Sequence, residues 1–144
     1  MRISLATDYA LRCLLYLAVT PDEWVPASAI AARFGISAHH VRQVCKTLVG
    51  HGRLEGRRGA GGGVRLAPGA LELRLGDVIK ELEVVELAEC FGPEPGVCSL
   101  EPGCALKSAL SAAKAAFFAE LNRYQLKDLT RIKELERLVG ETEV

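Results

Sequence analysis

Apolar positions recur at helical spacing from the first residues of the chain. Between residues 4 and 19, Leu5, Tyr9, Leu11, Leu14, Leu15, Leu17 and Ala18 give one broad apolar face, and Pro21 with Asp22 ends the run. This pattern predicts a first helix, with Cys13 inside it as a small core residue. Asp8 and Arg12, four residues apart on the polar side, read as a solvated ion pair. Pro26 and Ser28 start a short helix that runs through Phe34 and breaks at Gly35. Ser37 then caps a longer helix over about residues 38–51. Val41, Val44, Cys45 and Leu48 line its inner side, and His39, His40, Arg42, Gln43 and Lys46 project elsewhere. Residues 52–66 read as two short strands around a glycine-rich tip. Leu75, Val78, Ile79 and Leu82 share a face of a short helix ending near Glu83. The longest helix runs from Ala105 to about Tyr124, with Leu106, Leu110, Ala113, Phe117, Leu121 and Tyr124 at three- and four-residue steps. One more short helix follows over 125–138, and the chain ends in a frayed acidic tail from Gly140.

A short helix, a glycine turn and a second helix with polar donors at its start make a helix-turn-helix. Its second helix reads bases from its N-terminal turns. The hairpin behind it has four glycines between residues 59 and 63, with Arg57 and Arg58 at the base of the tip. That is the form of a wing whose cations reach phosphates or a minor groove. A nucleotide-cradling loop is the rival, but no Lys-Ser/Thr follows the glycines. Charge favours the wing. The net charge is zero, yet residues 1–75 carry ten Lys/Arg against five Asp/Glu, and the remainder carries eight against thirteen. A basic half suits a polyanion, since phosphate attraction supplies much of such affinity.

Alanines at 105, 109, 112, 113, 115, 116 and 119 widen the apolar surface of the longest helix beyond what a small winged domain buries. A helix-to-helix homodimer is expected, which also matches two recognition helices to two half-sites. The fold expected is mainly α: a winged helix-turn-helix DNA-binding region at 1–75, a short helix and cysteine loop at 76–104, and a long C-terminal dimerisation helix with its tail at 105–144. Asp8 and Arg12 interrupt the early apolar run, so no signal peptide is read, and no stretch approaches the roughly 20 residues of a membrane span. A cytoplasmic protein without membrane contact is expected. No nucleophile–base constellation appears, so no enzyme is expected.

Three of the five cysteines, Cys90, Cys98 and Cys104, fall within fifteen residues rich in glycine and proline. In a reducing compartment such a loop points to metal or redox chemistry rather than structural disulfides. Thiolates select zinc, copper(I) or iron–sulfur clusters. Gaps of seven and five residues are too long for the usual zinc pairs and do not fit two-cluster ferredoxin spacing. An iron–sulfur cluster ranks first, followed by a metal-free thiol switch and then zinc. A fourth ligand would come from elsewhere.

Taken together, Thr7-Asp8-Tyr9-Ala10-Leu11-Arg12, Arg58-Gly59-x-Gly61-Gly62-Gly63, the three cysteines, Cys104-Ala-Leu-Lys-Ser-Ala-Leu110, Phe117-Phe118 and Leu126-Lys-Asp-Leu129 resemble the Rrf-type winged-helix regulators over about residues 1–132. The similarity is nearest the nitrite-sensitive repressor (NsrR) and RirA branches. Lys107 stands where the IscR branch carries a histidine ligand, which argues against that branch. The resemblance implies a homodimeric regulator of double-stranded operator DNA with one iron–sulfur cluster, 4Fe–4S or 2Fe–2S, per subunit. It assigns Cys90, Cys98 and Cys104 as cluster ligands and Asp8, reaching from one subunit to the other, as the fourth. It maps DNA contacts to Ser37, His39, His40, Arg42, Gln43 and Arg58, with Lys46 and Arg57 beside them. The implied activity is repression governed by nitric oxide, redox state or iron. A thiol-based repressor without a cluster and an iron–sulfur carrier are the alternatives.

Overall fold

In the computed structural model of the chain, the structure describes residues 2–92, 98–100, 103–131 and 133–140. The acidic tail and parts of the cysteine loop, residues 93–97 and 101–102, lie outside the described residues. The chain forms two compact units. One comprises the residues up to Leu73 together with those from Gln125 onward; the other is Arg74–Tyr124.

In the first unit, helix α1 spans Leu5–Ala18. Ser4 caps it by accepting the Thr7 N–H at 3.2 Å. Its buried stripe runs through Thr7, Ala10, Cys13, Leu14 and Leu17. With Tyr16 and Ala18 also buried, this face is as broad as the one expected from hydrophobicity but shares only Leu14, Leu17 and Ala18 with it. Leu5 is 55% exposed, and Tyr9, Leu11 and Leu15 are half-buried. Helices α2 (Ala27–Phe34) and α3 (Ala38–Gly50) pack on each other, and α3 also packs on α1. Gly35 ends α2 at φ 62°, and the Ile36 N–H reaches back to the Ala31 carbonyl at 2.9 Å. That left-handed closure lets α3 leave at an angle to α2. Ser37 occupies the N-cap position of α3, but its side chain makes no capping bond, contrary to expectation. Val41, Val44, Cys45 and Leu48 are buried as their spacing predicts.

Strands β1 (Leu54–Arg57) and β2 (Gly63–Leu66) pair antiparallel, Leu54 opposite Leu66 and Arg57 opposite Gly63. Val25 joins the other edge of β2, exchanging two backbone bonds of 2.9 Å with Val64. The approach is close enough that a Cβ at Gly63 would collide with the Val25 carbonyl, so only glycine fits there. Leu54, Val64 and Leu66 turn into the core, and Glu55, Arg57 and Arg65 face out. The expected single helix over 125–138 is instead a short turn, Leu126–Leu129, and a helix α6, Lys133–Gly140. The Gln125 N–H donates to Asp128 at 2.9 Å, and Thr130 Oγ1 donates to the Lys127 carbonyl at 2.8 Å. These local side-chain bonds offer the backbone an alternative to the helical ladder.

In the second unit, α4 (Leu75–Leu82) lies on α5 (Ala105–Leu121). A Cβ at Gly76 would sit 2.7 Å from the Phe118 carbonyl oxygen, so glycine sets how closely the two helices approach. Asn122 follows α5 and caps α4: its Oδ1 accepts the Asp77 N–H at 2.9 Å, and its Nδ2 donates to Asp77 Oδ1 at 2.8 Å. That bond marks the end of α5, one turn earlier than its apolar spacing suggests. Phe118 is the buried side chain of α5.

Candidate DNA interface and cysteine cleft

The outer face of α3 carries His39, His40, Arg42, Gln43 and Lys46, all exposed, with exposed Ser37 ahead of them. Their positions follow from the helical period: burying Val41, Val44, Cys45 and Leu48 turns the intervening polar residues outward. Arg58 is exposed in the wing and ion-pairs with no carboxylate among the described residues. Arg57 is exposed too, yet committed to its own hairpin. Its guanidinium donates to the Gly61 carbonyl and lies 4.7 Å from the Trp24 ring. Arg65 lies 4.5 Å from the same ring and bonds Glu55 at 2.7 Å. All these residues lie in the first unit, where α3 packs on β1 of the hairpin.

Sequence reasoning missed Trp24. No periodicity marks it, because its place depends on the long-range pairing of Val25 with Val64. Reasoning also missed what stands behind α3. His40 is 6.3 Å, ring to ring, from Tyr9 of α1, and Arg12 lies 5.8 Å over Tyr9. Arg12 in turn holds both oxygens of Asp8, at 2.7 and 3.3 Å. The pair is partly exposed, so by itself it contributes little stability.

Cys90, Cys98 and Cys104 belong to the second unit. They line one cleft of about 450 Å³ with Leu100, Leu106 and Leu110. All three are free thiols, Cys98 exposed and the other two half-exposed. Cys104 occupies the N-cap of α5, and its sulfur accepts the Lys107 N–H at 3.4 Å. As they stand, no three metal-ligating side chains among the described residues are drawn together closely enough to hold an ion. The donor chemistry does fit an iron–sulfur group: three soft sulfurs open into one cleft with apolar walls. Cys13 and Cys45 differ. Both are buried, between α1 and α3. A hydrogen bond to Cys45 keeps Cys13 in its neutral form and pushes its thiol well up, and burial acts the same way. Because burial shields both from reagent, iodoacetamide is expected in metal-free protein to modify Cys90, Cys98 and Cys104 and to spare Cys13 and Cys45. Peptide mass spectrometry checks this; equal labelling of Cys45 and Cys98 would contradict it.

The family model for Rrf2, an iron-dependent transcriptional regulator, matches residues 3–132. The chain belongs to the Rrf2 family. The HTH-type transcriptional regulator NsrR of Halalkalibacterium halodurans is 40% identical over 142 residues, covering 96% of this chain and 97% of the relative. NsrR of Shouchella clausii is 40% identical over 131 residues, 90% of this chain and 88% of its own. Among solved structures, the oxidised form of Staphylococcus aureus CymR superposes with a TM-score of 0.71 at 26% identity, over 92% of this chain and 98% of its own. CymR, the global cysteine regulator of B. subtilis, gives 0.68 at 28% identity, over 90% and 96%. This Rrf2 protein is thus a DNA-binding transcriptional regulator of mainly helical, winged-helix fold, and not an enzyme. Among its described residues no helix is long and apolar enough to cross a membrane.

Proposed function

We propose that the chain is a homodimeric operator-binding repressor whose DNA affinity is set by an iron–sulfur cluster on Cys90, Cys98 and Cys104. The observation that carries this reading is the single cleft lined by all three thiols in a chain of this family. When bound, such a group supplies an oxidisable centre that reacts with nitric oxide and depends on iron supply. The thiolates of this chain would hold it, the Lys107 N–H supports the Cys104 sulfur, and Leu100, Leu106 and Leu110 line the cleft.

Asp8 serves as fourth ligand toward the cysteines of a second copy. A carboxylate is a harder donor than a thiolate and the more exchangeable one on iron. In the single chain Asp8 is held by Arg12, so taking up the ligand role opens that pair. Arg12 stacks on Tyr9, and Tyr9 lies beside His40, so a change at Asp8 has a contiguous route to the reading helix. On the DNA side, Ser37, His39, His40, Arg42, Gln43 and Lys46 meet the major groove. Arg58, with Arg57 shaping the hairpin beneath it, meets the backbone.

The test is anaerobic purification with iron and acid-labile sulfide assays. A brown protein with both is expected from the unaltered chain. A colourless, metal-free protein that still binds its operator would overturn the cluster and favour a thiol switch.

A further inference from the structure

We propose that Trp24 is a positioning residue for DNA binding: it holds Arg57 across Gly63 and away from the phosphates, leaving Arg58 as the wing's backbone contact. The inference rests on the DNA-binding reading and concerns which wing cations meet DNA.

The register gives the geometry. Strand β2 lies between β1 and the Trp24–Val25 segment, because Val64 pairs with Val25 on one side and Gly56 on the other. Val25 and Val64 are buried, so the alternation of an extended segment turns Trp24 to the outer face, with Glu55, Arg57 and Arg65. Arg57 stands opposite Gly63. To come within 4.7 Å of the Trp24 ring, its guanidinium must pass over β2 at the one residue there without a side chain. Gly63 thus serves twice, admitting the Val25 carbonyl on its edge and Arg57 over its face.

Tryptophan is the strongest of the aromatic rings for holding a cation. Arg57 spends a further donor on the Gly61 carbonyl, which ties the ring to the glycine tip. Arg65 flanks the same ring and is neutralised by Glu55. Of the three outer arginines of the hairpin, Arg65 is held by Glu55 and Arg57 by the Gly61 carbonyl and the Trp24 ring, whereas Arg58 has neither an ion-pair nor a ring contact among the described residues.

The test uses the full chain and a fluorescein-labelled duplex of random sequence, read by anisotropy over a salt series. Each phosphate contact contributes about 0.9 to the slope of log K against log salt. Arg58→Ala is expected to flatten that slope by about 0.9. Arg57→Ala and Trp24→Ala are each expected to weaken binding roughly fivefold, because the wing that presents Arg58 loses one stacked cation, and Arg57→Ala, which gives up no phosphate contact, should leave the slope unchanged. The double variant should bind no more weakly than either single one, since the two residues act through one contact. Trp24→Phe, which keeps a ring, should restore most of the loss. Trp24 is the only tryptophan, so Arg57→Ala should also shift the emission of the free protein.

Overturning results are an Arg57→Ala slope flattened like that of Arg58→Ala, losses that add in the double variant, or Trp24→Ala binding as tightly as the unaltered chain. If Trp24→Ala loses its helical circular dichroism, Arg57→Ala and Trp24→Phe decide the matter. An unaltered chain with no salt-dependent binding sinks the DNA reading itself, and this proposal with it.

Discussion

Glutamate at Ala112 and Ala116 together is expected to leave a folded monomer that binds operator about 10²–10⁴-fold more weakly. Both positions are exposed and lie four residues apart, on one face of α5. Ala109 and Ala113 adjoin that face, and Leu106 is 64% exposed at the start of the helix. A seventeen-residue helix with Phe118 as its buried side chain has more apolar surface than its own unit uses. Small side chains let a second helix approach closely, and a pair of carboxylates there would have to be desolvated without partners. Glutamate is a good helix former, so α5 itself should persist. The loss in affinity follows because two linked reading heads bind two half-sites at high effective concentration, and one head does not. Light scattering and operator binding read the two effects. A variant that remains dimeric, or a monomer with unchanged affinity, would contradict the assignment.

The second large effect is expected at the cleft. Cys98→Ala should yield protein without iron or sulfide, and its operator affinity should fall roughly 5–150-fold, the usual range for coupling between two sites. Cys98 is the most exposed of the three thiols and packs against little, so its loss removes a ligand without opening a core cavity. Unfolding temperature in the absence of metal should therefore match that of the unaltered chain. Asp8→Ala is expected to fall between the two, holding the group on three thiolates but losing it faster. A Cys98→Ala protein that purifies with full iron and sulfide would remove the cleft as the site.

Local pattern explains most of what the sequence revealed. Val41, Val44, Cys45 and Leu48 at helical spacing located α3 and, by exclusion, its outer face. Gly35 marked the turn, and the run Gly59 to Gly63 marked the wing. What escaped depends on contacts distant in sequence. Hydrophobicity assigned Leu5 to the α1 face, whereas close packing on α3 favours the smaller Ala10 and Cys13. Ser37 looked like a capping residue, yet its hydroxyl makes no such bond, which leaves it exposed at the reading end of the helix. The end of α5 was misplaced because it is set by Asn122 reaching Asp77, forty-five residues away. Trp24 carried no signal because β2's second partner is a single bridged residue, Val25. At the cleft, the cysteine types and their turn-rich setting were legible, but their gathering around one volume was not.

The most direct test titrates nitric oxide anaerobically into loaded protein while operator binding is followed, with the metal-free form as reference. Affinity should fall with each addition and end at the metal-free value, and Asp8→Ala should reach that end at lower dose. If loaded and metal-free protein bind the operator equally, and nitric oxide moves neither, control of DNA affinity by this cleft is refuted.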